Sequence, residues 1–154
     1  MPESAAKQAV SYHSKYEYGV DQKRRLQIPA KWRPEEGEIE LTVMVWPKHK
    51  EGTCLRVFPP DQMQKFIGQV DAMPNNDPNK ITLKRFLGSQ SDKLVPDKAG
   101  RVCLPEWMAK KAMIENEAVL VGLIDKFEIW SPKLYTAIDT TDQTRIQDAL
   151  QNIE

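Results

Sequence analysis

The chain has 154 residues, 40% of them apolar and 29% charged, so it can bury a core of its own and is neither a fibrous nor a disordered sequence. Lysine and arginine number 22 against 22 aspartates and glutamates, which excludes a globally cationic polyanion binder. Cys54 and Cys103 form no CxxC pair and join no sequence cluster with His13 or His49, and no apolar run resembles a membrane span or a signal peptide. These features point to a cytoplasmic protein with reduced thiols, no disulfide framework, no metal, no cofactor and no membrane partner.

In chain order, residues 1–11 lack periodicity and read as a flexible lead-in. Tyr12, Tyr16, Tyr18 and Val20 share even positions, as on one face of a strand. A turn follows at Asp21, whose carboxylate suits the backbone N–H groups of a tight loop. Leu26 and Ile28 then alternate with Arg25 and Gln27, apolar side in and arginine out. Pro29 suits the first helical position, and Pro34 cuts that turn of helix short. Ile39 to Trp46 and Leu55 to Phe58 alternate as the arms of a β-hairpin, followed by a helix from Asp61 to Asp71. Residues 73–79 (MPNNDPN) are a linker; Asp77 caps a helix through Ile81, Leu83 and Phe86 that stops at Gly88.

The second half repeats this grammar. The stretch DQKRRLQIP (Asp21–Pro29) returns as DKAGRVCLP (Asp97–Pro105), with Asp first, Arg fifth, apolar residues sixth and eighth, and Pro ninth. A short helix through Trp107 and Met108, a hairpin from Ala118 to Trp130, a helix capped by Ser131 and a terminal helical stretch around Ile146 and Leu150 complete it. A motif repeated at wide spacing predicts a fold built twice. Residues 21–33 carry Lys23, Arg24, Arg25, Lys31 and Arg33 against Asp21 alone, whereas 134–154 is mainly acidic. A basic turn region thus hides inside the neutral total. The four tryptophans read as core or subunit-interface residues rather than base-stacking platforms, both cysteines as buried or half-buried, and Lys84 and Arg85 as an exposed helix face.

The residues of the repeat also resemble the MraZ family of bacterial transcriptional regulators, part of the AbrB-like swapped-hairpin group. The family pattern of an aromatic strand, a D-x-K-G-R turn and P-x-x-[FW]-R is met by Tyr12 to Arg33, which contains YEYGVDQKRRLQIPAKWR. Its second half is met by DKAGRVCLP and VLVGLIDKFEIW, so the resemblance covers roughly Tyr12 to Ile138. It implies an α+β fold in which two tandem AbrB-like half-repeats form an intertwined swapped-hairpin β-barrel with flanking helices. The implied division is a lead-in at 1–11, a first repeat at 12–72, linker and helix at 73–88, a second repeat at 89–139 and a helical tail at 140–154.

For function, the resemblance implies a repressor of the division and cell-wall gene cluster that binds direct repeats in its own promoter as a ring-like homo-oligomer, associated with the nucleoid. The double-stranded DNA would meet Lys23, Arg24, Arg25, Lys98 and Arg101, in turns structured by Asp21, Asp97 and Gly100. Arginine's planar fork suits phosphate and the guanine edge, and a two-stranded ribbon fits the major groove. The first turn has Arg24 where the family has glycine. Either that turn takes another shape, or Arg24 holds a left-handed backbone at a cost of about 1 kcal/mol.

Two rivals belong to other classes. One is an oligomeric interaction scaffold that has lost promoter recognition; the other is an antitoxin-like protein that holds a toxin with its helical tail. Asp21 and Asp97 could be paired on paper as an acid–base dyad, but each opens a basic hairpin where a turn needs an acceptor. With no phosphate loop, no catalytic triad and no small-molecule site, the chain reads as a non-enzyme.

Overall fold

A computed structural model describes residues 10–34 and 37–153, so the expected lead-in lies, for residues 1–9, outside the described residues. The first half supplies β1 (Lys15–Gly19), β2 (Arg25–Gln27), a 3-10 turn at Ala30–Trp32, β3 (Leu41–His49), β4 (Gly52–Phe58) and α1 (Pro60–Asp71). After α2 (Pro78–Ser89), the second half supplies β5 (Ser91–Leu94), β6 (Arg101–Cys103), α3 (Glu106–Lys111), β7 (Glu117–Gly122), β8 (Phe127–Trp130) and α4 (Pro132–Gln151). Asp77 caps α2 by accepting from Asn79 N at 2.9 Å, and Ser131 caps α4 by accepting from Leu134 N at 3.2 Å.

The main sheet is antiparallel with strand order β1-β7-β8-β4-β3-β5, and β2 pairs with β6 in a separate two-stranded ribbon. That order is a palindrome of the repeat. Each leading strand, β1 or β5, pairs with the hairpin of the other half, and β4 meets β8 at the centre in the register Leu55↔Ile129, Arg56↔Glu128, Val57↔Phe127. Arg56 and Glu128 are equivalent residues of the two repeats and face each other across the pseudo-twofold axis. The halves are therefore intertwined strand by strand, and neither could keep its pairings alone.

The sheet does not close into the barrel that the family resemblance implied. Among the described residues β1 and β5 remain its two edges. The three-residue strands β2 and β6 pair only with each other and lie as a lid over one sheet face. Between lid and sheet lies the main core, where Leu26, Ile28, Val102 and Leu104 pack with Val43, Val57, Leu120, Phe127 and Ile129. Aromatic contacts join Tyr12, Trp32 and Phe127 in that layer.

The opposite sheet face is also covered. Met44, Phe58 and Met63 form one cluster with Trp46, Phe66 and Phe86; Cys54, Val119, Trp130 and Ile138 form another with Leu134 and Tyr135. Both parities of β3 are buried: Val43 and Val45 face the main core, and Thr42 and Met44 lie on the face where α1 and α2 dock. Two boundaries also differ from the sequence reading. Pro29 and Pro105 stand just before their helical turns with extended ψ (141° and 137°) rather than inside them, and α4 runs unbroken where two helical stretches were predicted.

Candidate nucleic-acid interface

Each nine-residue motif folds into the same Asp-locked turn. Asp21 Oδ1 accepts from the backbone N–H of Lys23 and of Arg25, both at 2.9 Å, while Oδ2 accepts from Arg25 Nε at 2.7 Å. In the second copy Asp97 Oδ1 accepts from Ala99 N and Arg101 N at 2.9 Å, and Oδ2 from Arg101 Nε at 3.2 Å. These donors hold both carboxyls below the ordinary aspartate range, the backbone N–H of Arg25 or Arg101 being the chief cause and outweighing desolvation. The two acids serve separate turns at opposite ends of the ribbon, so they form no catalytic dyad.

The shape of the first turn is settled by Arg24. It holds a left-handed backbone at φ 60°, matching Gly100 at φ 83°, and both donate their N–H to the carbonyl of the motif's aspartate at 2.9 Å. Arg24 Nε also donates to Leu104 O at 3.0 Å, a bond that offsets part of the strain. The two turns are thus alike despite the missing glycine.

Pairing of β2 with β6 sets Arg25 opposite Cys103 and Gln27 opposite Arg101. Alternation sends Leu26 and Val102 into the core and leaves Arg25, Gln27, Arg101 and Cys103 on the outer face. The arginines are diagonal neighbours, roughly 7–8 Å apart at Cα by sheet geometry. Both side chains remain 38% exposed, each held through Nε by its own aspartate. Lys23 and Lys98 are exposed at opposite ends. The sequence-predicted residues therefore come together as one ribbon whose outer face and two tips are cationic.

Sequence reasoning missed two ties across this ribbon. Gln27 Nε2 donates to Ala99 O at 3.0 Å, and its repeat equivalent Cys103 donates through Sγ to Lys23 O at 3.2 Å. The seventh residue of each nine-residue motif thus pins the other repeat's tip. Cys103 is exposed, contrary to the expectation of a buried or half-buried thiol, because it falls on the outward parity of β6. Cys54 is buried as expected. Trp32 and Trp130 are core residues and Trp46 is half-buried, but Trp107 is 38% exposed on α3. Lys84 lies on an exposed helix face, paired with Asp71 at 3.3 Å.

Folding also assembles a group that the sequence reading excluded. Ligand atoms of His49, Cys54 and Glu128 lie within 4.8 Å of one another. The carboxylate is already committed: Glu128 Oε2 accepts from Arg56 Nη2 at 2.6 Å and Nε at 3.0 Å, and Oε1 accepts from Trp130 Nε1 at 2.9 Å, while His49 Nε2 is buried with no hydrogen-bond partner among the described residues. Burial, and then the neighbouring Glu128, pushes the Cys54 thiol far up. With a guanidinium already neutralising the carboxylate and an indole N–H on its other oxygen, these residues fit a buried polar network better than a metal cage.

Fold and surface together define a class: a duplicated, intertwined α+β chain that presents a cationic two-stranded ribbon on a neutral body. Among the described residues no helix is long and apolar enough to cross a membrane. A family model described as "MraZ protein, putative antitoxin-like" matches residues 89–151. A protein named transcriptional regulator MraZ from Lactiplantibacillus plantarum is 28% identical over 92% of this chain and 97% of its own length. Proteins of the same name from Hydrogenovibrio crunogenus and Halothermothrix orenii are each 30% identical, over 77% and 79% of this chain and 78% and 82% of their own lengths. The chain belongs to the MraZ family.

Proposed function

We propose that the chain is a sequence-specific DNA-binding transcriptional regulator, not an enzyme, and that the β2–β6 ribbon is its DNA-reading element. In this reading Arg25 and Arg101 enter the major groove from the ribbon's outer face, where a guanidinium can grip O6 and N7 of guanine. Lys23, Arg24 and Lys98 at the tips neutralise backbone phosphates, which adds affinity with little sequence information. Asp21 and Asp97 are structural: by holding Nε of each arginine they fix its direction and leave the terminal nitrogens for the duplex. The observation that carries the reading is the pair of Asp-locked turns that set two half-exposed arginines side by side on one ribbon face.

One ribbon offers few contacts, so tight binding requires repetition. A ring-like homo-oligomer on direct repeats in its own promoter would gain avidity as each further ribbon engages. Repression of the division and cell-wall gene cluster follows if that assembly covers the promoter. In the test, the double variant R25A/R101A is compared with wild type on DNA from upstream of the chain's own gene. Each good bidentate base contact is worth about 1–3 kcal/mol, so the variant is expected to lose at least tenfold to hundredfold in affinity while keeping its fold and assembly. Undiminished binding by that variant would remove the assignment. A stable oligomer with no preference for its upstream DNA over shuffled duplex would favour the interaction-scaffold reading.

A further inference from the structure

The two tips are not equal in sequence: the first reads Gln22-Lys23-Arg24, the second Lys98-Ala99-Gly100. Gly100 lacks the cation that Arg24 supplies at the equivalent place. The space its side chain would need is filled from elsewhere. A Cβ at Gly100 would stand 2.5 Å from Cζ and 2.8 Å from Nε of Arg33, a residue of the first repeat. Four residues after the motif's proline, where the first repeat has Arg33, the second has the buried Ala109, which bears no guanidinium to lodge beside Arg24. The exchange runs one way. One tip carries its cation on the turn itself, and the other borrows one from the opposite repeat.

Arg33 is placed to do more than fill space. Its Nε is buried and, among the described residues, has no hydrogen-bond partner. That N–H has lost water without gaining an acceptor, an unfavourable state for one donor of an otherwise half-buried guanidinium unless something supplies a partner. Arg33 and Lys98 line one cavity of about 230 Å³, with Pro34, Pro96, Asp97 and Glu38 around them. Asp97 is already committed to Ala99 and Arg101. With Asp97 tied to its own turn, Arg33 and Lys98 line the cleft against the one further carboxylate of Glu38, and two cations so placed beside a turn tip have the chemistry of a phosphate site.

We infer that Arg33 and Lys98 form a phosphate-binding pocket at the second tip, which holds a DNA backbone phosphodiester while Arg101 reads the adjacent groove. This rests on the ribbon being the DNA-reading element and adds to it a phosphate grip contributed across the repeats. The test uses the full chain with a fluorescent duplex from upstream of its own gene and a shuffled duplex, titrated between roughly 50 and 200 mM salt. R33Q/K98Q leaves that one phosphate without either cation, so the double variant is expected to flatten the slope of log K against log salt by about 0.9, and R33Q and K98Q alone to flatten it by a measurable part of that. Preference for the upstream DNA over the shuffled duplex, melting temperature and oligomer size should stay as in wild type, and R33K should restore the slope.

A wild-type slope in R33Q would overturn the pocket, as would a decline in sequence preference in step with the flattened slope. Should R33Q fail to fold, R33M, which keeps an unbranched stem and removes the charge, decides, and a wild-type slope there overturns the inference. If wild type shows no salt-sensitive binding, the ribbon reading falls with it. If binding is abolished in R25A/R101A and unchanged in R33Q, the pocket alone falls.

Discussion

Arg24 and Gly100 occupy one place in two copies of a turn, and both keep a left-handed backbone, φ 60° and φ 83°. For arginine that conformation costs on the order of 1 kcal/mol, and the bond from Arg24 Nε to Leu104 O returns a comparable amount. R24G should therefore leave thermal stability nearly unchanged. G100A meets both the left-handed penalty and the Arg33 guanidinium, so it should lower the melting temperature clearly more, by the equivalent of about 1–3 kcal/mol. Scanning calorimetry on the two variants checks this ordering. Asp and Arg at motif places one and five were readable from the sequence because their bonds are local. The ties from Gln27 and Cys103 were not, since their acceptors lie more than seventy residues away and are fixed only once the repeats pair.

At the scale of the element, the ribbon depends on what lies beneath it. Leu26 and Val102 face each other on its inner side, both almost wholly buried, and anchor two three-residue strands that make few hydrogen bonds of their own. Leu26→Ala should cost about 2–5 kcal/mol in urea unfolding, as for other buried leucines, and should weaken DNA binding although Leu26 cannot reach the duplex. The period-two pattern revealed β2 and β6 readily. The same pattern did not disclose that the second parity of β3 is covered too, with Thr42 and Met44 buried on the face where α1 and α2 dock. Alternation reports side-chain parity, and whether a second layer covers the polar parity depends on helices far along the chain.

Across the whole molecule, duplication within one chain permits asymmetry that an exact symmetric dimer of single repeats could not have. Arg56 faces Glu128 across the pseudo-axis, where two identical subunits would have to place like against like. Their side chains are only 17% and 7% exposed, and breaking such a buried pair leaves one charge stranded. Glu128→Ala should therefore destabilise by about 3–5 kcal/mol, measurable as a lower urea midpoint with little change in slope. The repeat in the sequence disclosed the doubling, but not the open sheet with its ribbon lid. Among the described residues β2 and β6 pair with each other and leave β1 and β5 as sheet edges, a choice of partners made between halves far apart in the chain.

Arg25 and Arg101, neighbours on the ribbon's outer face, are the residues on which the proposed DNA recognition turns. Equilibrium binding of wild type and R25A/R101A to the upstream duplex and its shuffled counterpart, at matched salt and with assembly verified by light scattering, tests it most directly. Wild type should prefer the upstream duplex, and the variant should lose that preference while its fold and oligomer size persist. A correctly assembled R25A/R101A that still distinguishes the two duplexes as wild type does would contradict it.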